Sequence, residues 1–411
     1  MGLFSTLHIG SRGLFASQLA MDVTGQNIAN ADVEGYSRKR LNLRTDYRYD
    51  GIYGQVGMGV DVVNIERVRN AFIDEQIRRQ NEEVGMYNEI DITFESIENI
   101  LSEPSDTGLV TYIDQFFDSW QNLADNPSDL SARTMVKTNA EILSDVFHNV
   151  SSELTELRQT RNDEILQRMN KVNEMCKEVY NLNSEIGAVE IGNQHANDSR
   201  DRRDLVLKEL SKLIDITTIE NELGQITITS DGNILVSPVH FQELETTTGS
   251  VRLADNTTIT EIALRFASSK RPYNPQSGQI KGLFESRDTI IPEYQTRLDT
   301  LAKSIVKSVN ELHAQGFTLD GISGIPFFDE DVTGASDISL SASILSNLRN
   351  VAAASGGEAY PAAQNISTAG NHDFANAAVQ LVRDPAVIPP VNATNVIDGS
   401  VIVRSPTRAL D

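Results

Sequence analysis

Six histidines, one cysteine and a surplus of carboxylates are the side chains of this 411-residue sequence with the capacity for chemistry. His8, His148, His195, His240, His313 and His372 are scattered, and none has the H-E-x-x-H spacing that turns two imidazoles toward one metal. Cys176 stands alone, so it forms no intramolecular disulfide and anchors no zinc cluster. Asp329-Glu330-Asp331-Val332-Thr333-Gly334 resembles the start of a calcium loop. Its twelfth position, where a bidentate glutamate belongs, is Leu340. Gly54-Gln55-Val56-Gly57-Met58-Gly59 is glycine-rich without the G-x-G-x-x-G spacing, and reads as a loop or bulge rather than a pyrophosphate cradle. Asp198, Arg200, Asp201, Arg202, Arg203 and Asp204 form a charged run that reads as a solvated or salt-bridged first turn before Leu205-Val206-Leu207. No Ser/His/Asp or Cys/His group can be built from the remainder. The expectation is a protein that is not an enzyme, with no cofactor and no metal.

Composition narrows the partners. Lys+Arg 35 against Asp+Glu 58 leaves a net charge of −23, which disfavours both phosphate backbones and anionic membrane surfaces. Nucleic acid and membrane are therefore not expected partners. Residues 39% hydrophobic and 23% charged describe a folded chain rather than a disordered one, and the length allows two to three domains. The N-terminus, Met1-Gly2-Leu3-Phe4-Ser5-Thr6-Leu7, has neither the basic stretch nor the small-residue cleavage site of a Sec signal. No window approaches 18 consecutive apolar residues.

The elements that must position any functional surface are mostly helical. Apolar residues recur in steps of three and four over 131–191, through Val136, Ala140, Leu143, Phe147, Val150, Leu154 and Leu157. The phase then slips by one and resumes at Ile165, Met169, Val172, Cys176, Val179 and Ile186. Sixty helical residues would extend roughly 90 Å. An earlier helix over 70–101 carries Tyr87, Ile90, Phe94, Ile97 and Leu101, and Pro104 is placed to end it. A third carries Ile113 and the bundle-core residues Phe116, Phe117, Trp120 and Leu123, followed by a turn at Asn126-Pro127-Ser128-Asp129 that caps the long helix. From Ile214 the period becomes two, giving hairpins around Glu222-Leu223-Gly224 and Ser230-Asp231-Gly232-Asn233, then further strands at 250–253 and 261–266. Helical periodicity returns over 282–315 and again at 373–382, while nothing periodic follows 389.

The first thirty residues carry two apolar stripes. Leu7, Leu14, Met21 and Ile28 recur every seven positions, and Phe15, Leu19 and Val23 every four on another face. A helix apolar on more than one side must be surrounded, by its own core or by partners. It ends in Asn27-Ile28-Ala29-Asn30-Ala31-Asp32-Val33-Glu34-Gly35-Tyr36-Ser37-Arg38. Here Asn30 suits a near-left-handed helix end, Gly35 a sharp turn, and Tyr36 an anchor for the returning strand.

This segment resembles the N-terminal motif of flagellar axial proteins, the rod, hook and junction subunits, with Asn27, Asn30, Gly35, Tyr36 and Arg38 as its marks. Further blocks resemble the hook-associated protein 1 family, the hook-filament junction proteins. They are Phe116 to Asp129 with Arg133, Arg202 to Ser211, Gly282 to Asp288, and Val309 to Gly316. Val33, where rod and hook proteins usually carry threonine, points the same way.

The resemblance implies a mainly α fold with a β-rich insertion, an elongated multidomain axial subunit with long antiparallel or coiled-coil helices. It divides the chain into an N-terminal spine helix with a connecting strand and loop segment (1–64), the first part of a helical bundle (65–195), and an outer domain of helix and β-hairpins (196–281). The bundle's return part (282–388) and an irregular tail (389–411) follow. It implies type III export without a cleaved signal, localisation to the hook-filament junction of the bacterial flagellum, and assembly as a homo-oligomeric ring. Hook protein, a neighbouring hook-associated protein or flagellin, and an export chaperone are the implied partners. The alternatives are another axial protein, hook or distal rod, or a cytosolic coiled-coil scaffold. The family ends in a long amphipathic helix that pairs with the N-terminal one, whereas Pro406 stands close to Asp411 here. A fragment or a truncated relative is therefore expected, with both apolar faces of residues 3–31 uncovered and the N-terminus poorly ordered.

Overall fold

A computed structural model describes residues 3–46, 48–51, 54–101, 108–192, 194–252 and 258–354. Pro104, the helix expected at 373–382 and the tail from 389 lie outside these described residues. The chain is mainly α with a β-containing insertion. It divides into two compact units: Met1–Glu89 with Glu164–Thr247 and Ile262–Leu283, and Ile90–Asp163 with Thr248–Glu261 and Phe284–Asp411.

The first unit opens with helix α1 (Leu3–Ala29). Strands β1 (Lys39–Thr45) and β4 (Val60–Arg67) pair antiparallel from Lys39↔Arg67 to Thr45↔Val60, with a bulge at Asn42/Leu43. Between them β2 (Arg48–Gly51) pairs with β3 (Gly54–Gly57). The glycine-rich segment expected as a loop or bulge is thus a strand in its first four residues. Its glycines leave the backbone free to pair, and the looser geometry starts only at Gly59, whose φ of +104° sets it against Ile9 of α1. Helix α5 (Asn197–Leu213) leads into the sheet β5 (Thr217–Glu220), β6 (Ile226–Ser230) and β7 (Asn233–Val236). The turns use Gly224, Asp231 and Gly232 at positive φ. Ile226, Ile228, Leu235 and Val236 are buried, as are Val206, Leu207 and Leu210 of α5.

In the second unit a single core draws on α2 (Ala71–Leu101), α3 (Leu109–Asp125), α4 (Leu130–Glu190) and α7 (Ile291–Gln315). The turn before α4 caps it as the residue types require: Asp129 Oδ1 accepts from the Ser131 amide at 2.8 Å. The slip after Leu157 does not break α4. Its positions are filled by buried polar side chains, Arg158, Arg161 and Asn162. Arg158 donates to Glu261 at 2.6 Å, and Asn162 Oδ1 accepts from Arg287 at 3.0 Å. The helix expected as continuous over 282–315 is instead α6 (Gly278–Glu285), a π turn (Ser286–Ile290) and α7. Pro292 has no amide to continue the regular ladder, and the Ile291 amide reaches back to Ser286 O. Strands β8 (Leu244–Arg252) and β9 (Thr258–Phe266) pair with each other and are longer than the periodicity indicates.

A candidate assembly surface

The segment after α1 is held by one amide. Asn27 Oδ1 accepts from the Lys39 amide at 2.8 Å and from the Tyr36 hydroxyl at 2.9 Å, while its Nδ2 donates to Lys39 O at 2.9 Å. The side chain therefore mimics a strand partner for the first residue of β1, and Tyr36 closes the clasp across nine residues. Asn30 works differently: its Nδ2 donates back to Gln26 O at 2.9 Å and its carbonyl accepts from Val33 N at 3.1 Å. The left-handed conformation expected there belongs to Gly35 (φ +83°), which lies so close to Leu205 of α5 that a Cβ would stand 3.3 Å from it. Arg38 is exposed and serves through its carbonyl, which accepts from the Val68 amide at 2.8 Å.

Replacing Asn27 with alanine leaves a strand amide, a carbonyl and a phenol without their partner. A loss of about 2 kcal/mol is expected, seen as faster protease cleavage within 30–39.

The charged run, read as solvated or salt-bridged, proves to be a set of ion pairs that seats this turn. Ser37 is buried, its amide donating to Asp201 at 3.1 Å. Arg67 of β4 bridges Asp201 at 2.9 Å and Asp204 at 2.7 Å. Lys39 meets Asp198 at 2.5 Å, and Lys208 meets Glu34 at 2.9 Å, a bond that holds the Glu34 carboxyl below its usual range. Arg200 forks onto Glu190, where burial alone would raise the carboxyl but hydrogen bonds from Arg200 and the Ala196 amide bring it below the usual range. Arg203 is fully buried, pushed down to about 10 by that burial, and donates to Gly224 O at 2.6 Å and Asn183 at 3.1 Å. Arg67 and the acceptor role of Asp201 are absent from the sequence reading; alternating charges at a helix start signal pairing but not its partner.

The clasp gives α1 a fixed side. Val23 is buried, Leu19 half-buried, and Ala16 buried with them, while α1 runs against β1 and β4 and Arg12 pairs with Asp46. The expectation that both apolar faces lack cover is thus corrected for one of them: the β1–β4 hairpin covers it. Phe15 is not included, remaining exposed. The other stripe, Leu7, Leu14, Met21 and Ile28, is 69–73% exposed along its whole length. Four large apolar side chains presented to solvent at heptad spacing, on a helix fastened at its end, form a surface shaped for other helices.

Phe116, Phe117, Trp120 and Leu123 are fully buried in the second unit. They meet residues that periodicity does not reveal: Trp120 lies edge-on to Phe327 at 5.2 Å and to His313 at 6.1 Å, and Phe116 is 5.9 Å from Phe328. Asn310 fastens this segment, accepting from the amides of Phe327 and Phe328 at 2.9 and 2.8 Å and donating to Phe328 O at 3.0 Å. In the calcium-like segment Asp329 Oδ1 accepts from the Asp331 amide at 3.1 Å. Asp337 accepts from the amides of Thr333 and Gly334, and Leu340 is buried. Among the described residues no group of three His, Cys, Asp or Glu is placed to hold a metal ion, and no helix is long and apolar enough to cross a membrane.

Comparison with known proteins bears on both units. Residues 7–36 match the family described as flagella basal body rod protein, the span of α1 and its clasp. Flagellar hook-associated protein 1 of Bacillus subtilis is 29% identical over 357 residues, covering 79% of this chain and 70% of that protein. The protein of the same name from Salmonella typhimurium is 28% identical over 330 residues, covering 79% of this chain and 59% of its own length. The chain therefore spans from about three fifths to seven tenths of the length of these relatives. The flagellar hook junction protein FlgK of Burkholderia pseudomallei shares the fold, with a TM-score of 0.50, 23% identity and coverage of 61% of this chain and 46% of that one. Residues 94–328, more than half of the sequence, match the family described as flagellar hook-associated protein FlgK helical domain, and the chain belongs to that family.

Proposed function

We propose that this chain is a non-catalytic structural subunit of the bacterial flagellum. It forms the junction between hook and filament, assembling as a ring of identical copies after type III export. Hook protein lies on one side and a neighbouring hook-associated protein or flagellin on the other, with an export chaperone engaged before secretion. The observation that carries this reading is the uncovered stripe of α1, exposed beside a clasp within the segment that matches the rod-protein family. A soluble single-copy protein gains nothing from holding Leu7, Leu14, Met21 and Ile28 in water, whereas a subunit buried among copies recovers roughly 1.5–3 kcal/mol for each on assembly.

The test is a strain in which the chain carries Leu14→Asp and Met21→Asp. These positions are exposed, so the subunit is expected to fold as before. The expected phenotype is hooks without filaments, with flagellin lost to the medium. Normal filaments in this strain, or in one lacking the chain altogether, would overturn the reading.

A further inference from the structure

The N-terminal half of α2 is inverted. Toward its own unit it buries Glu82, Gly85 and Glu89. Glu82 accepts from the Ile216 amide at 3.0 Å, and burial drives its carboxyl up to about 7. Glu89 takes Arg168 at 3.2 Å, and Gly85 leaves the space in which the Lys212 carbonyl sits. On the opposite side Ile73, Ile77, Val84 and Tyr87 are 44–65% exposed. Their spacing, with Gln80 between, is four, three, four and three, the repeat of a helix that receives another helix along a left-handed seam. Tyr87, which the periodicity groups with the buried Ile97 and Leu101, faces out. A helix that pays to bury carboxylates while exposing isoleucines has its apolar face reserved for something outside its unit.

The seam runs into a groove of about 500 Å³ at the start of α2, lined by Ile73, Ile77 and Leu205 and by four cations, Arg38, Arg69, Arg78 and Lys208, against two carboxylates, Asp74 and Asp204. These cations gather on a chain whose net charge is −23. A basic, apolar groove in an acidic chain is complementary to the rest of that same chain. The exposed seam is about 21 Å long at 1.5 Å per residue, and its few side chains fall well short of the roughly 20–30 residues a side of a standard stable interface. Such a contact does not hold two free monomers together, but it is sufficient where many copies are held at high effective concentration.

We propose that the α2 seam and its basic groove are the lateral contact through which one copy of this chain receives the next in the assembled ring. The inference rests on the structural reading above and names the surface that reading leaves open. The neighbour lays an apolar, acid-flanked helical face along Ile73 to Tyr87, and its carboxylates meet Arg38 and Arg78.

The experiment places a photo-crosslinking amino acid, p-benzoylphenylalanine, at Val84 in the full chain. After irradiation of intact flagella, the expected product is a covalent pair of twice the subunit mass. The same variant, purified and irradiated as a micromolar monomer, is expected to give no pair. In parallel, Val84→Glu with Tyr87→Glu is expected to melt within a few degrees of the parent and be exported equally. Its retention in purified flagella should fall at least tenfold. A crosslink within one chain, to hook protein, to flagellin or to a chaperone overturns the lateral assignment while leaving the junction reading intact, as does full retention of the double variant. Absence of the parent chain from purified flagella overturns both.

Discussion

Trp120→Ala is expected to lower the stability of the second unit by about 4 kcal/mol, near the upper end for loss of a large buried side chain. Trp120 has no solvent exposure and its ring is met by Phe116 at 6.3 Å, Phe327 at 5.2 Å and His313 at 6.1 Å. These neighbours are fixed in turn: Phe327 by the Asn310 side chain, His313 by two backbone groups. A site held this firmly cannot collapse around a missing indole, so the cavity remains and its cost is added to the lost transfer energy. Urea unfolding followed by far-ultraviolet circular dichroism measures the effect. Trp120→Phe, which keeps most of the apolar volume, should lose less than half as much, and equal losses for the two would show that packing is not the cause.

Acidification is expected to destabilise the same unit by about 3 kcal/mol between pH 6.5 and pH 4. Burial pushes the His313 imidazole down to about 4, against the opposing pull of its hydrogen bond to Ile325, and Arg133 adds to the depression. The geometry shows why the neutral ring is required. Nδ1 stands 2.7 Å from Ile325 O and must donate, while Nε2 accepts from the Ala352 amide at 2.8 Å and has no room for a proton of its own. In the unfolded chain the ring takes up a proton near 6.5, in the native one only near 4. Stability is therefore complete above pH 6.5, falls as pH drops through this window, and levels off below it. His313→Gln keeps one donor and one acceptor but cannot titrate. It should flatten the pH dependence of urea midpoints over this interval, read by fluorescence of the single tryptophan beside it. An unchanged slope in the variant would assign the acid sensitivity elsewhere.

Both predictions depend on contacts that a linear reading reaches only halfway. The block around Trp120 and the block holding Asn310 and His313 are each visible as motifs, yet nothing in their spacing says that one packs on the other. The helices fare better. The expected span 131–191 is found as Leu130–Glu190, and 70–101 as Ala71–Leu101, because helix periodicity is local and sums over many turns. The same logic misled at Tyr87, where a non-local demand overrides the local repeat, and through the π turn at Ser286–Ile290. At Tyr87 the demand is a carboxylate buried on the opposite face of α2. At the π turn the cause is Pro292, which has no amide to continue the regular ladder. The charged run at 198–204 announced ion pairing without naming Arg67 or the Ser37 amide, since those partners lie more than 130 residues away.

What the sequence alone determines here is the inventory: long helices with their ends, hairpin turns at residues able to take positive φ, and an axial motif after an apolar N-terminal helix. Each follows from chemistry within a few residues, where backbone geometry and side-chain period act directly. Which apolar face is covered is decided only by tertiary structure. Leu7 and Val23 are equally apolar, as are Ile77 and Ile97, and one of each pair is exposed while the other is buried. Burial is a relation between distant segments, so the surfaces left over for partners become visible only once the chain has used the rest.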